Sequence, residues 1–296
     1  MSEILKNLVV VVVRTRNPLN LGAVARAMSN FGAVELRAVE PFGKAWREAR
    51  SAVGAGAVMA GAKEFATIAE AVADCTLVAG TTSVGNRELK HPLHDLAEAA
   101  PMLRERMRIG RVAVLFGSEK FGLSNEELSF CHWLVRIPTR EEHRSMNLGQ
   151  AAAVVLYEVG GKGVGQRGAD VFRPEKGEPN AETQRTRSEE KNRRTKVTQK
   201  VHRSGKSGER KEAGLTASAT LADWNLRHYA EMEVVERVGE ALLEALVKSG
   251  YVGGRSRELA QEKLRRMLRR FSMEAADAEV FLGMMRKIVE QIERSS

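Results

Sequence analysis

Residues 137–158 read IPTREEHRSMNLGQAAAVVLYE, a stretch that leaves an apolar run, crosses a polar loop and enters a helix. Leu148, Ala151, Ala152, Val155 and Leu156 recur at the spacing of one helix face, which predicts a buried side. Asn147 stands where that helix begins, and its side-chain oxygen suits an N-cap. Ser145 and Asn147 therefore sit at a loop-to-helix junction, where the free N–H groups of a first turn can hold a ligand. A hydroxyl- and amide-rich loop fixed between two apolar elements predicts a site built on a rigid base.

Upstream, apolar runs alternate with amphipathic segments. Strands are predicted over 8–13, 34–39, 76–79, 112–116 and 133–137. Between them, Asn20 is expected to cap a helix that runs to Phe31 and stops at Gly32. Further helices are expected over 47–61 and 93–107, and Ser124 with Glu127 forms a capping-box pattern for a short one. Continuous Val and Leu strands separated by helices predict an α/β domain with a mostly parallel sheet. Ligands of such sheets bind beyond the carboxyl ends of the strands. The turns 15–20, 80–83, 117–122 and 138–147 all lie there and are rich in Gly, Ser, Thr and Asn.

Each residue also has a plainer reading. Arg26 falls opposite the apolar stripe of its helix and reads as a solvated charge. Asn20 and Asn147 read as caps, and Glu119 as a solvent-facing carboxylate beside a turn. The GSEKFG turn lacks the Lys-Ser/Thr ending of a nucleotide-phosphate loop. His132 and His143 have no local carboxylate partner and no nucleophile elbow is present, so neither a metal site nor a hydrolytic triad is expected.

The chain has 296 residues, 43% of them hydrophobic, and a formal net charge of +9 that favours a polyanionic partner. Between residues 180 and 214 there are 11 Lys or Arg against 5 Asp or Glu, so two-thirds of the excess lies in one segment. That segment has almost no apolar residues and cannot bury enough surface to fold alone. The expected organisation is a sheet domain over 1–160, a flexible basic linker over 161–215 and a small α-helical domain over 216–296. In the last of these, Leu259, Leu264, Met267, Leu268 and Phe271 form one apolar stripe, with Lys263, Arg265, Arg266, Arg269 and Arg270 on the polar side. Phe281, Met284, Met285, Ile288 and Ile292 form another stripe. The basic side reads either as an RNA-docking face or as an ordinary solubilising surface. Cys75 and Cys131 show no metal or disulfide spacing, which points to a reducing cytoplasm. The run 8–13 is too short to span a membrane.

Three stretches taken together and in order, NLGAVARAMSNFG, LFGSEKFGLSNEEL and IPTREEHRSMNLGQAAAVVLYE, closely resemble the motifs of the SPOUT-class, TrmH-like RNA 2′-O-methyltransferases. Within that class the chain is similar to the TrmJ branch of tRNA (cytidine/uridine-2′-O-)-methyltransferases, and RSRELAQEKLRRMLRRF and EVFLGMMRKIVEQIE are similar to that branch's helical extension. The resemblance implies a trefoil knot formed by about residues 115–158, against the general rule that chains do not thread. It implies S-adenosyl-L-methionine bound in the knot, a homodimer, no metal, and tRNA as partner, with a pyrimidine of the anticodon loop (nucleotide 32) as target. By motif matching, Thr81, Gly117, Glu119, Ile137, Met146 and Leu148 would line the cofactor pocket. Asn20, Arg26, Ser145 and Asn147 would be the catalytic polar residues, Arg26 reaching the cofactor of the other subunit. Ribosomal RNA as the substrate, or a non-catalytic RNA-binding factor that keeps the fold, are the alternatives.

Overall fold

Leu8 and the five valines after it are all buried, and they form the central strand β1 (Leu8–Val13). A strand buried on both sides needs a layer on each face of its sheet. In the computed structural model, which describes residues 3–44, 46, 49, 56–83, 89–160, 228–253 and 256–295, both layers are present. The expected linker over 161–215, and residues 216–227, lie outside the described residues, as does part of the helix expected over 47–61.

In chain order the elements are β1, α1 (Pro18–Phe31), β2 (Glu35–Val39), α2 (Gly56–Gly61), β3 (Lys63–Phe65), α3 (Ile68–Ala71), β4 (Leu77–Thr81) and β5 (Leu93–Asp95). Then come α4 (Leu96–Ile109), β6 (Val112–Phe116), α5 (Asn125–Leu128), β7 (Trp133–Arg136), a 3-10 turn at Glu141–His143, and α6 (Leu148–Gly160). After the undescribed segment follow α7 (Met232–Lys248), α8 (Arg257–Phe271) and α9 (Ala275–Ser295). The seven strands form one sheet in the order β3-β2-β1-β6-β4-β7-β5. Every pairing is parallel, from Val9 beside Glu35 to Leu93 beside Leu134.

Two local expectations are corrected. Residues 93–95 do not open a helix: they form the edge strand β5, with Leu134 N–H donating to Pro92 O at 2.8 Å, and α4 begins after Asp95. The segment is pulled onto β7 before its helical pattern takes over. β4 also continues through Gly80 and Thr81, where a turn was expected. Glycine is required at position 80, because an added Cβ would lie 2.7 Å from Cys131 Sγ on the segment that passes from β6 across the end of β4 to β7.

The period of two in β1 sorts its side chains into two cores. Leu8, Val10 and Val12 join Leu21, Val24, Met28, Leu103, Val155 and Leu156, so α1, α4 and α6 cover that face. Val9, Val11 and Val13 join Val78, Leu115 and Leu134 with Met232, Val235, Val238, Leu268 and Leu282, so the C-terminal helices complete the other face. Backbone bonds fasten the entry of α7 to the sheet unit, Met232 N–H to Cys75 O and Glu233 N–H to Ala73 O, each at 3.0 Å. Residues 1–164 and 225–296 accordingly form one compact unit. A full burial of each such Leu, Val or Met is worth about 1.5–3 kcal/mol, so these helices are a structural layer of the sheet.

The stripe reading of α8 holds for Leu268, which is buried, with Met267 packed beside it, and fails at both ends of the helix and at two arginines. Leu259 and Phe271 are 53% and 59% exposed, whereas Arg266 and Arg269 are buried. The Arg265 guanidinium lies 3.9 Å from the Phe130 ring centre and donates to Ser129 Oγ and to Glu236. Arg269, fully buried, donates to Glu236 as well, and Arg266 pairs with Glu262. Arg106 on α4 sits 3.5 Å over the Tyr229 ring and donates to Thr76 O. These arginines are accommodated because aromatic rings and two carboxylates, Glu236 and Glu262, meet their planar heads while their stems fill apolar space. Among the expected apolar residues of α9, Met285 is buried, while Met284 and Ile288 are 52% and 42% exposed.

Candidate active site

The site begins at the turn into α1. Asn17, not Asn20, is the N-cap: its extended backbone and its side-chain oxygen, which accepts from Leu19 N–H at 2.9 Å, start the helix, with Pro18 in the first turn. Proline has no N–H to satisfy and its φ is already helical, which fixes the start three residues before Asn20. Asn20 is thereby one turn inside the helix, 9% exposed, and its amide is released for other bonds.

Those bonds join three elements. Asn20 Nδ2 donates to Glu119 Oε1 at 3.1 Å, and Glu119 also accepts from the backbone N–H groups of Arg16 (3.3 Å) and Asn17 (3.2 Å). Asn147 Nδ2 donates to Asn20 Oδ1 at 2.9 Å, while Asn147 Oδ1 accepts from Gly149 N–H at 2.9 Å as the cap of α6. The orientation of both amides follows from this chain of bonds, since each oxygen faces only donors and each NH2 an acceptor. The expected cap role of Asn147 is present, and the capping box of Ser124 and Glu127 is formed in full. Gly149 lets α1 and α6 approach closely, because a Cβ there would stand 2.5 Å from Ala23 Cβ.

Beside this network lies a cavity of about 380 Å³ at the carboxyl ends of β4, β6 and β7. Thr81, Gly117, Glu119, Ile137, Met146 and Leu148 all line it, and so does Ser145. Thr81 Oγ1 is anchored by donating to Leu115 O at 2.9 Å. The 117–122 turn is folded tightly: Gly122 N–H donates to Ser118 O at 2.8 Å, and Gly122 has φ 66°. A Cβ on Gly117 would lie 2.0 Å from the Gly122 carbonyl carbon, so only glycine permits this closure. The cavity offers apolar walls from Phe116, Leu123, Val135 and Ile137 together with hydroxyl and backbone groups. That mixture suits a flat heteroaromatic ring joined to a polar chain.

Arg26 is not brought to this cavity. It is exposed on α1 and lines neither this cavity nor the two described below. Asn20 and Asn147 stand together through their hydrogen bond, and Ser145 is exposed on the loop before α6. Arg140 and His143 are exposed on the same loop, and Arg144 reaches the cavity wall. The residues that sequence reasoning placed in the turn 15–20 without singling them out are Asn17, whose Asn-Pro pair is a helix-start signal, and Arg16, which has no local signature.

The sequence pattern of the SpoU rRNA Methylase family matches residues 7–157, just over half of the chain. The chain is 39% identical over 156 residues to the tRNA (cytidine/uridine-2′-O-)-methyltransferase TrmJ of Cronobacter sakazakii and 40% identical over 156 residues to that of Escherichia coli K12. Each alignment covers 52% of this chain and 63% of the relative, which is less than two-thirds of the relative's own length. The crystal structure of TrmJ from Z. mobilis ZM4 superposes with a TM-score of 0.66 at 25% identity, covering 95% of this chain and 98% of that one.

Proposed function

Because the chain belongs to the SpoU rRNA Methylase family, we propose that it is an S-adenosylmethionine-dependent RNA ribose 2′-O-methyltransferase, acting on a pyrimidine of the tRNA anticodon loop. The observation that carries the reading is the Asn147–Asn20–Glu119 network standing against a cavity that all six expected cofactor residues line. The cofactor would supply an electrophilic methyl group on a sulfonium. The residues around the cavity would hold it by shape and by backbone and hydroxyl groups.

The remaining task is positional. Methyl transfer is an in-line displacement, so a ribose 2′-oxygen has to be held close to the methyl carbon and on its axis. Ser145 and Asn147, beside the cavity and at the start of α6, offer hydroxyl and amide bonds for that purpose. Glu119 accepts from three N–H donors and organises the 117–122 turn against α1, which gives it a positioning role in this reading. Arg26 cannot take the hydroxyl proton, because a guanidinium stays protonated and accepts no hydrogen bond. Its role in this reading is to orient the neighbouring phosphate and stabilise oxyanion charge, with water receiving the proton.

In this reading the molecule acts as a homodimer, and Arg26 completes the site of the partner subunit. The support is its exposure away from its own cavity and the apolar surface of its helix and the neighbouring α6, Leu19 at 78% exposure on α1 and Tyr157 at 60% on α6. The loop 117–132 and the close contact of Gly80 with Cys131 fit a knotted passage of residues 115–158 around β4. The basic composition of residues 161–215 would attract phosphates without sequence preference.

The test is transfer of labelled methyl to unmodified total tRNA followed by nucleoside analysis, with Arg26→Ala run alongside. A 2′-O-methylated anticodon-loop pyrimidine, reduced at least a hundredfold by the substitution, is expected. Transfer to ribosomal RNA instead, which the family's description favours, would keep the reaction and change the substrate.

A further inference from the structure

The 118–122 turn has a cavity on each side. Glu119, Lys120 and Phe121 line the cavity already described and also a second one of about 350 Å³, whose other walls include Arg16, Pro18 and Asn20. A third cavity, of about 560 Å³, shares Arg16 with the second and is bordered by Pro41 and Phe42. Each of the outer cavities carries a large aromatic ring that the fold leaves in water: Phe121 is 67% exposed and Phe42 57%.

Neither ring hangs on a loose loop. Phe42 N–H donates to Thr15 O at 3.0 Å and Arg14 N–H to Val39 O at 2.8 Å, which laces together the loops after β1 and β2. Arg14 and Glu40 hold left-handed backbone conformations there, with φ of 51° and 44°. Such conformations persist in side-chain-bearing residues only where the surroundings fix them, and they gather at functional sites. Phe121 is set by the closed 117–122 turn, and the Lys120 ammonium lies 5.1 Å from its ring centre. Among the described residues neither Arg16 nor Lys120 enters an ion pair, whereas Arg14 is tied to Glu127.

Fixed, exposed rings interleaved with cations that enter no ion pair are what a single strand of nucleic acid requires: faces for bases and charges for phosphates. A duplex does not fit the description, because its base faces are hidden in the stack. We infer that the two outer cavities form the track for an unpaired stretch of substrate RNA, with Phe121 stacking on a base beside the methyl-transfer site, Phe42 stacking farther along, and Arg16 and Lys120 holding phosphates. The inference rests on the RNA methyltransferase reading and assigns the surface that would select unpaired substrate.

The experiment uses the full-length protein with unmodified tRNA anticodon stem-loop transcripts, free or with the loop annealed to a complementary strand. Phe42→Ala, Phe42→Leu, Phe121→Ala and Phe121→Leu should each raise KM for the free loop about tenfold, the loss of one stacked base, and the two Phe42 variants, which lie outside the first cavity, should keep kcat within about twofold. Leu keeps apolar bulk and removes the flat ring, so an equal effect of Leu and Ala identifies stacking. Phe42 is outside the first cavity, so its variants should leave cofactor affinity by calorimetry unchanged. Phe121→Trp should keep the KM, and its fluorescence should fall on adding the free loop and not the annealed one. If the wild type methylates RNA and the Ala and Leu variants keep its KM, the track is wrong and the proposed function stands. If the wild type transfers methyl to no RNA, both fall.

Discussion

The amide of Asn20 has a carboxylate on one side and a second amide on the other, and that arrangement works only with nitrogen toward Glu119 and oxygen toward Asn147. Asn20→Asp keeps the shape and removes the donor, setting two carboxylates against each other. The expected result is a loss of about 1–3 kcal/mol at pH 8, measured by urea unfolding, that shrinks relative to wild type toward pH 5 as the pair comes to share a proton. A loss that does not change with pH would mean that the bond to Glu119 is not formed in solution. This residue also shows how far the chain could be read. Its motif set Asn20 beside Glu119 and Asn147, which its hydrogen bonds join, while its structural role was misassigned because two asparagines three positions apart both look like caps. The Pro18 between them decides the matter, through a backbone restriction visible in the sequence.

At the scale of the element, α8 is the instructive case. A helical wheel separates the apolar stripe of α8 from its arginines and predicts which side is buried, yet the fold buries Arg266 and Arg269 along with Leu268 and leaves Leu259 and Phe271 exposed. Hydropathy could not foresee this, because the partners Phe130, Ser129 and Glu236 lie on other elements, 136 residues away in the case of Ser129. The energetic centre is Glu236, which accepts from both Arg265 and the fully buried Arg269. Burial pushes the Arg269 guanidinium below its usual range, and Glu236 is the charge that opposes this. Glu236→Ala leaves Arg269 buried without its carboxylate and should cost about 3–5 kcal/mol in chemical unfolding. Adding Arg269→Met should recover more than half of that, because an apolar side chain of similar length needs no partner. If the double variant is no more stable than the single one, the cost belongs to Arg265 or to packing rather than to the orphaned charge.

Across the whole molecule, the fully apolar strand β1 demanded a cover on both faces of its sheet, and that much was legible; which residues supplied the second cover was not. They come from beyond the undescribed segment, and no local pattern links Val9, Val11 and Val13 to Val238 and Leu282. That second layer encloses two histidines. His132 is buried, accepts from Val78 N–H at Nδ1, and is held well below the usual imidazole range by burial and then by Arg269 and Arg106. His91 is lowered to about 4 by burial and then by Arg266 and Arg270 of α8. In an unfolded chain both would take a proton near pH 6.5, so between about 6.5 and 4 the unfolded state binds more protons and stability falls as the pH falls. Above that window these groups contribute no slope. The melting temperature of the full chain should therefore hold between pH 8 and 7 and decline below 6.5. His91→Gln removes one of the protons without touching the acceptor that Val78 needs, so its decline between pH 6.5 and 4 should be shallower than that of the wild type. Equal slopes in that window would show that His91 titrates normally, and that the contact of α8 with the loop before β5 is open to water.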